Sequence, residues 1–392
     1  MPDVTSVGTH VPKKVLLLSV GTGEGHNSAA RAIAEVLRAR KIACEIVDSV
    51  SFLSDRAQKR AVRVYSRIIR HTPLLFGLGY AIGAAYDKLR LPSPIRWYHS
   101  RYADRLYRYI ADGGFDCVIC THLFSMHTAT AVRRAYLPDL PCYGVLTDYT
   151  AIPFYRGTDL DAYFVPDKRT RDMLTRKQIP SERILQSGIP VSPRFSSDMT
   201  RQQARALLGI DPDKKVVVIA SGGAGCGKIR RLCKALAART DERCAIYVFT
   251  GKNARLKSRV ERAVGAHSSV TALAFTPDIP LYVKAADLAM TKPGGLSATE
   301  IAVSGTPMLL MRAIPGCETC NRRYFVRRNV AIYCNTHRKA VREALRFLRD
   351  GSMPFADAVA CGAVCPDAAS DIVDYVLGAR RLPDAREDAQ RQ

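Results

Sequence analysis

The chain has 392 residues, 47% hydrophobic, 8% aromatic and 24% charged, with a formal net charge of +23 at pH 7. That length exceeds one ordinary core and predicts two domains of roughly 150–200 residues each, and the composition excludes a disordered chain. The basic excess implies a polyanionic partner, either nucleic acid or the anionic face of a membrane. No run approaches the ~18–20 apolar residues of a membrane span, and Val15–Val20, which ends in glycines, reads as a strand rather than an export signal. Twelve cysteines without such a signal read as reduced cytosolic thiols.

Short apolar runs alternate with helical patterns, as in parallel sheets built from βαβ units. The first half offers strands at Val15–Val20, Ile42–Asp48, Phe115–Cys120, Pro141–Thr147, Ala162–Pro166 and Arg183–Gln186. A glycine and two prolines in Gly188-Ile-Pro-Val-Ser-Pro-Arg-Phe195 then interrupt both periodicities. The pattern restarts at Lys215–Ser221, Ala245–Thr250, Ser269–Phe275, Leu288–Thr291, Pro307–Met311 and Ala331–Cys334. The expectation is an α/β chain of two doubly wound, Rossmann-like domains facing a central cleft. They span 13–190 and 196–352, with a helix within 353–378 crossing back to the first domain and a solvated tail at 379–392.

One stretch departs from this rhythm. Residues 56–110 form an insert far longer than a βα connection requires. Arg60, Arg63, Arg67 and Arg70 recur every three or four residues, an apolar glycine-containing segment follows, and Trp97 stands among arginines and tyrosines. This suits either an in-plane attachment to an anionic membrane surface or a helix packed on the domain with a solvated basic face.

Three segments carry chemistry. Gly21-Thr-Gly-Glu-Gly-His26 follows the first strand, with a helix expected from Asn27 to Arg40. Gly23 and Gly25 shape a loop at the sheet's carboxyl edge, where such folds bind ligands, and His26 ends it at the helix mouth. The helix's positive end favours neutral imidazole, the form a general base needs; a cap or surface histidine is the plainer reading. The spacing is not GxGxxG, although Asp48 keeps a nicotinamide dinucleotide site open. Asp148, after the fourth strand, either orients His26 or lines the acceptor site.

In the second half, Gly222, Gly223 and Gly225 follow a strand without completing a Walker A loop, and their amides suit a diphosphate. Lys292-Pro-Gly-Gly-Leu-Ser-Ala-Thr-Glu300 is again strand, turn, helix start. Gly294 and Gly295 permit close approach to a phosphate at a helix N-terminus, and Glu300, one turn in, suits a ribose diol. Asp159-Leu-Asp161 has the form of a metal-holding DxD element but reads as a loop feature. The pairs Cys117/Cys120, Cys317/Cys320 and Cys361/Cys365 lack zinc-module spacing. No nucleic-acid signature appears.

Taken together, Ser19–Ala30, Leu146-Thr-Asp148, Ser187-Gly-Ile-Pro-Val191, Ser221–Gly225, Thr291–Glu300 and Pro315-Gly-Cys-Glu-Thr-Cys-Asn321 resemble the diacylglycerol glycosyltransferases. These are the monogalactosyldiacylglycerol synthases and processive diacylglycerol β-glucosyltransferases, relatives of MurG in glycosyltransferase family 28. The resemblance implies a GT-B fold and inverting hexosyl transfer from UDP-glucose or UDP-galactose to diacylglycerol or a glycolipid. It implies no cofactor and no divalent metal, at the inner face of the cell membrane, with no nucleic acid as partner. His26 would be the base, Gly222, Gly223 and Gly225 would hold the diphosphate, Glu300 the ribose, and Glu318 and Asn321 the donor sugar. Cys317 stands where the family often has glutamine, which leaves the donor sugar open. The alternatives are MurG-like transfer to a polyprenyl-linked acceptor, a UDP-sugar epimerase or hydrolase on the same fold, and a non-enzymatic basic binder.

Overall fold

The computed structural model describes residues 11–21, 24–52, 83, 102–220, 229–265, 269–313, 315–351 and 355–379. All twelve expected strands are present, in two all-parallel sheets of six. The first comprises β1 (Lys14–Ser19), β2 (Ala43–Asp48), β3 (Cys117–Cys120), β4 (Cys142–Val145), β5 (Ala162–Val165) and β6 (Ile184–Gln186), in the order β2-β1-β3-β4-β5-β6. Around it lie α1 (Glu24–Ala39), α2 (Ala103–Gly113), α3 (Leu123–Ala135) and α4 (Lys168–Arg176).

Strand alternation sorts this sheet's side chains into two cores. Val15, Leu17, Cys117 and Ile119 pack with α1, whereas Leu16, Leu18, Val118 and Cys120 pack with α2 and α3. The pleat thus sends Cys117 and Cys120 to opposite faces, as the period of two demands.

The second sheet comprises β7 (Lys215–Ala220), β8 (Cys244–Phe249), β9 (Val270–Leu273), β10 (Leu288–Thr291), β11 (Met308–Leu310) and β12 (Ala331–Tyr333), in the order β12-β11-β10-β7-β8-β9. Its helices are α5 (Arg201–Leu208), α6 (Ile229–Ala237), α7 (Ala254–Val264), α8 (Ile279–Ala285), α9 (Gly295–Val303), α10 (Cys317–Arg327) and α11 (His337–Asp350). Val216 to Ile219 are fully buried. That is why this strand reads as an unbroken apolar run, the mark of a parallel sheet covered on both faces.

A buried ion pair locks the two central strands. Arg205 donates to Asp287 Oδ2 at 2.7 Å and to the carbonyls of Ala285 and Pro212. The same carboxylate oxygen accepts the Val216 N–H at 2.7 Å, so the starts of β7 and β10 share one anchor. The chain divides into two compact units, with Pro193–Pro366 carrying the second sheet. From Asp367 it rejoins the first unit, where α12 (Ala368–Val376) buries Ile372, Val373 and Val376 in the α1 core.

The strand orders fix where ligands go. In each sheet chain order reverses at one point, between β1 and β3 in the first and between β7 and β10 in the second. Open α/β sheets bind ligands in the crevice at the carboxyl edge of that reversal.

Candidate active site

At the first reversal stands His26. Helix α1 begins at Glu24, with Glu24 in its first turn, so Gly25 and His26 are helical residues rather than the end of a loop. A carboxylate in the first turn complements the dipole, and the earlier start is the correction it explains. The segment before it is tied down locally. Asp48 Oδ2 accepts the Gly21 N–H at 3.1 Å, Asp48 Oδ1 accepts that of Val50 at 2.9 Å, and Ser19 Oγ bonds Asn27 at 2.6 Å. A Cβ on residue 21 would sit 2.7 Å from Asp48 Oδ2, so a side chain there would push the carboxylate away from the Gly21 N–H. Asp48 is therefore a loop anchor, which removes the feature that kept a dinucleotide site open.

The imidazole is half-buried and held from β3 and β4. Its Nδ1 lies 3.0 Å from the Thr121 carbonyl and 2.8 Å from Thr147 Oγ1. A carbonyl only accepts, so Nδ1 carries the hydrogen and the neutral ring keeps its lone pair on Nε2. The Thr121 hydroxyl returns to the His26 carbonyl at 3.1 Å, and the His122 ring meets the His26 ring edge-on at 4.5 Å. Burial holds the imidazole below the ordinary value of 6.5, against the Asp148 carboxylate and the Thr121 bond, which both pull upward. The neutral form expected of a base is favoured, with burial as the leading cause. Asp148 acts on the ring through charge; Thr121 and Thr147 orient it.

At the second reversal, β10 runs into α9 with Gly294 at the N-cap and no side chain capping it. The first-turn N–H groups of such a helix are available to an anion. Lys292 Nζ donates to Glu318 Oε1 at 2.6 Å, and the fully buried Asn321 donates Nδ2–H to the Pro293 carbonyl at 3.1 Å. Both partners come from the first turns of α10. Its N-cap Gly316 has φ 112° and ψ −134°, a conformation that belongs to glycine. Lys292, Gly294, Gly295, Glu318 and Asn321 thus form one assembly, and Glu300 lies half-buried within α9 beside it.

A model of the monogalactosyldiacylglycerol (MGDG) synthase family matches residues 26–191, and one of the glycosyltransferase family 28 C-terminal domain matches 216–339. The chain belongs to glycosyltransferase family 28, in its monogalactosyldiacylglycerol synthase branch. Among relatives of this family 28 member, the processive diacylglycerol beta-glucosyltransferase of Bacillus pumilus is 25% identical over 345 residues, 86% of this chain and 87% of that one. The protein of the same name from Bacillus cereus (strain B4264) is 25% identical over 372 residues, 93% of each chain. Acinetobacter baumannii MurG superposes with a TM-score of 0.54 at 17% identity, covering 94% of this chain and 100% of its own. The S. aureus MnaA–UDP co-structure gives 0.58 at 16%, covering 95% and 99%. At such identities these structures speak for the fold, which is GT-B.

Gly23, Gly222, Gly223, Gly225 and the residues expected at a membrane surface, Arg60, Arg63, Arg67, Arg70 and Trp97, lie outside the described residues. Asp159 and Asp161, the DxD pair, bond Arg183 at 2.8 Å, Arg133 at 3.0 Å and the Cys142 N–H at 2.8 Å. They brace β4 and β5. Thr121, Thr147 and His122 are not among the expected site residues. Their one sequence signal was position, just past strands whose carboxyl ends face the ligand edge. Among the described residues, no helix is long and apolar enough to cross a membrane.

Proposed function

We propose that this glycosyltransferase inverts a hexosyl linkage, moving glucose or galactose from its UDP-sugar to diacylglycerol or glycosyl-diacylglycerol at the inner face of the cell membrane, without a divalent metal. The observation that carries the reading is the His26 ring. Its Nδ1–H is fixed by Thr121 and Thr147, which leaves Nε2 to take the proton of an acceptor hydroxyl. The acceptor oxygen then attacks the anomeric carbon, and the bond to the UDP oxygen breaks on the opposite side.

On the donor side, the uncapped start of α9, Lys292 and the Gly222, Gly223 and Gly225 turn would meet the diphosphate with fixed dipoles and charge in place of a metal ion. Glu300 would hold the ribose, and Glu318 and Asn321 the hexose. The names of the Bacillus relatives favour a diacylglycerol acceptor and a glucosyl donor, and the UDP in the MnaA co-structure favours a uridine nucleotide. The net charge of +23 suits an anionic bilayer, to which Arg60, Arg63, Arg67, Arg70 and Trp97 would contribute.

The test is to incubate the full chain with UDP-glucose or UDP-galactose, in chelator, with vesicles containing or lacking diacylglycerol. UDP release that requires diacylglycerol, with hexosyl-diacylglycerol identified by mass spectrometry, is the expected result. Sugar release without lipid, or transfer to a polyprenyl-linked acceptor alone, overturns the reading.

A further inference from the structure

Thr121 and His122 stand together at the carboxyl end of β3, and both reach His26. Thr121 holds the Nδ1–H with its carbonyl and the α1 backbone with its hydroxyl. His122 sets its ring perpendicular to the His26 ring, centroids 4.5 Å apart. Two imidazoles at that separation resist being cationic together, so each ring's hydrogen bonding decides which takes a proton.

The two rings are bonded in opposite senses. His122 is the N-cap of α3, and its Nδ1 accepts the Phe124 N–H at 3.0 Å. A nitrogen that accepts a backbone N–H carries no hydrogen, so neutral His122 is the Nε2–H tautomer. Protonating its Nδ1 would break the cap. His26 is the Nδ1–H tautomer, and its Nε2 has no partner among the described residues. Among the described residues, Asp148, from the segment after β4, acts on His26 through charge, and Thr121, Thr147 and His122 also lie against the ring.

We propose that His122 is a positioning residue: a histidine kept neutral by its helix-capping bond, which braces the His26 ring and leaves His26 Nε2 as the basic nitrogen of the pair. The inference rests on the reading of His26 as the base. During transfer the acceptor hydroxyl's proton passes to His26 Nε2, and His122, whose own lone pair is committed to the cap, does not compete for it. The imidazolium returns its proton to water after UDP leaves.

Full-length protein with 15N-labelled histidine provides a readout independent of turnover, with His26→Ala and His122→Asn assigning the signals. Long-range ring spectra at pH 7 are expected to show His122 with its hydrogen on Nε2 and His26 with its hydrogen on Nδ1, and His122 staying neutral while His26 titrates. His122→Asn keeps a capping acceptor and removes the ring. It is expected to leave the UDP-sugar KM unchanged and lower kcat about tenfold as the base loses its brace. It should also move the acid limb of the kcat profile to higher pH, because His26 loses cover. A spectrum placing the His122 hydrogen on Nδ1, or a His122→Asn enzyme with wild-type kcat and pH profile, overturns the proposal. Failure of the base assignment looks different: His26→Ala would turn over normally, whatever His122 does.

Discussion

In the first sheet the reversal between β1 and β3 presents an imidazole held by neutral acceptors. In the second, the reversal between β7 and β10 presents an uncapped helix start, a lysine–carboxylate pair and a buried carboxamide. The backbone plan is nearly the same, a parallel strand feeding a helix at the ligand edge. What differs is the first turn and its neighbours. On the proposed reading, one region accepts a proton and the other holds an anion in place. Changes to the first should therefore appear in kcat, and changes to the second in the donor's KM.

The largest effect expected is at His26. His26→Ala should lower kcat by about 10²–10⁴-fold, the range for losing a general base, while calorimetric binding of UDP stays near wild type. Because burial lowers this imidazole's proton affinity, the acid limb of the wild-type kcat profile should lie below pH 6.5, with activity falling as pH drops through it. Near-normal turnover in His26→Ala would remove the distinction between the two regions.

Next comes a stability effect confined to the first unit. His127 on α3 is 3% exposed and bonds the Phe154 carbonyl through Nε2 at 3.0 Å, and burial pulls it down to about 4. The folded value lies below the unfolded one of about 6.5, so between these pH values the unfolded chain binds a proton that the folded chain does not. Stability is thus full above pH 6.5 and declines as pH falls toward 4, by roughly 3 kcal/mol at about 1.4 kcal/mol per unit. Denaturant melts of wild type and His127→Gln at pH 7 and pH 4.5 check this: the variant should lose less on acidification.

At the second reversal the effect should be smaller and of another kind. Asn321→Ala leaves the Pro293 carbonyl without its donor, a loss of about 1–3 kcal/mol. Glu318→Gln keeps the shape of the Lys292 contact but removes its charge. Both variants should raise the UDP-sugar KM, Asn321→Ala by about tenfold or more, with kcat changed less. Steady-state kinetics that showed the opposite split would place proton transfer, not donor grip, at this edge.

The strands were legible because buried parallel strands are apolar throughout: Val216 to Ile219 could be little else. The glycine turn before α9 is legible because the sequence shows its glycines directly. Strand order was not. Nothing local says that β1 lies beside β3, so nothing local says that a carbonyl 95 residues away, or a hydroxyl 121 residues away, holds His26. The start of α1 lies three residues before the expected Asn27 because glycines weaken the helical signal, while Glu24 in the first turn favours the earlier start in the folded chain. Asp148 is the conspicuous carboxylate of Leu146-Thr-Asp148 and acts on the ring through charge, while its uncharged neighbour Thr147 hydrogen-bonds the ring.

That neighbour gives the finest test of how the first region works. Thr147→Val is close to isosteric and removes one of the two acceptors at Nδ1, leaving the Thr121 carbonyl, which no side-chain substitution can delete. The expected cost is about 0.5–1.5 kcal/mol, read as a two- to tenfold fall in kcat with the donor's KM unchanged. A backbone carbonyl at the end of a central strand is already fixed by the sheet, so it needs no side chain to orient it. If Thr147→Val instead cost as much as His26→Ala, the ring would be held by the β4 hydroxyl alone. The sheet reversal between β1 and β3 would then explain where His26 is, but not how it is aimed.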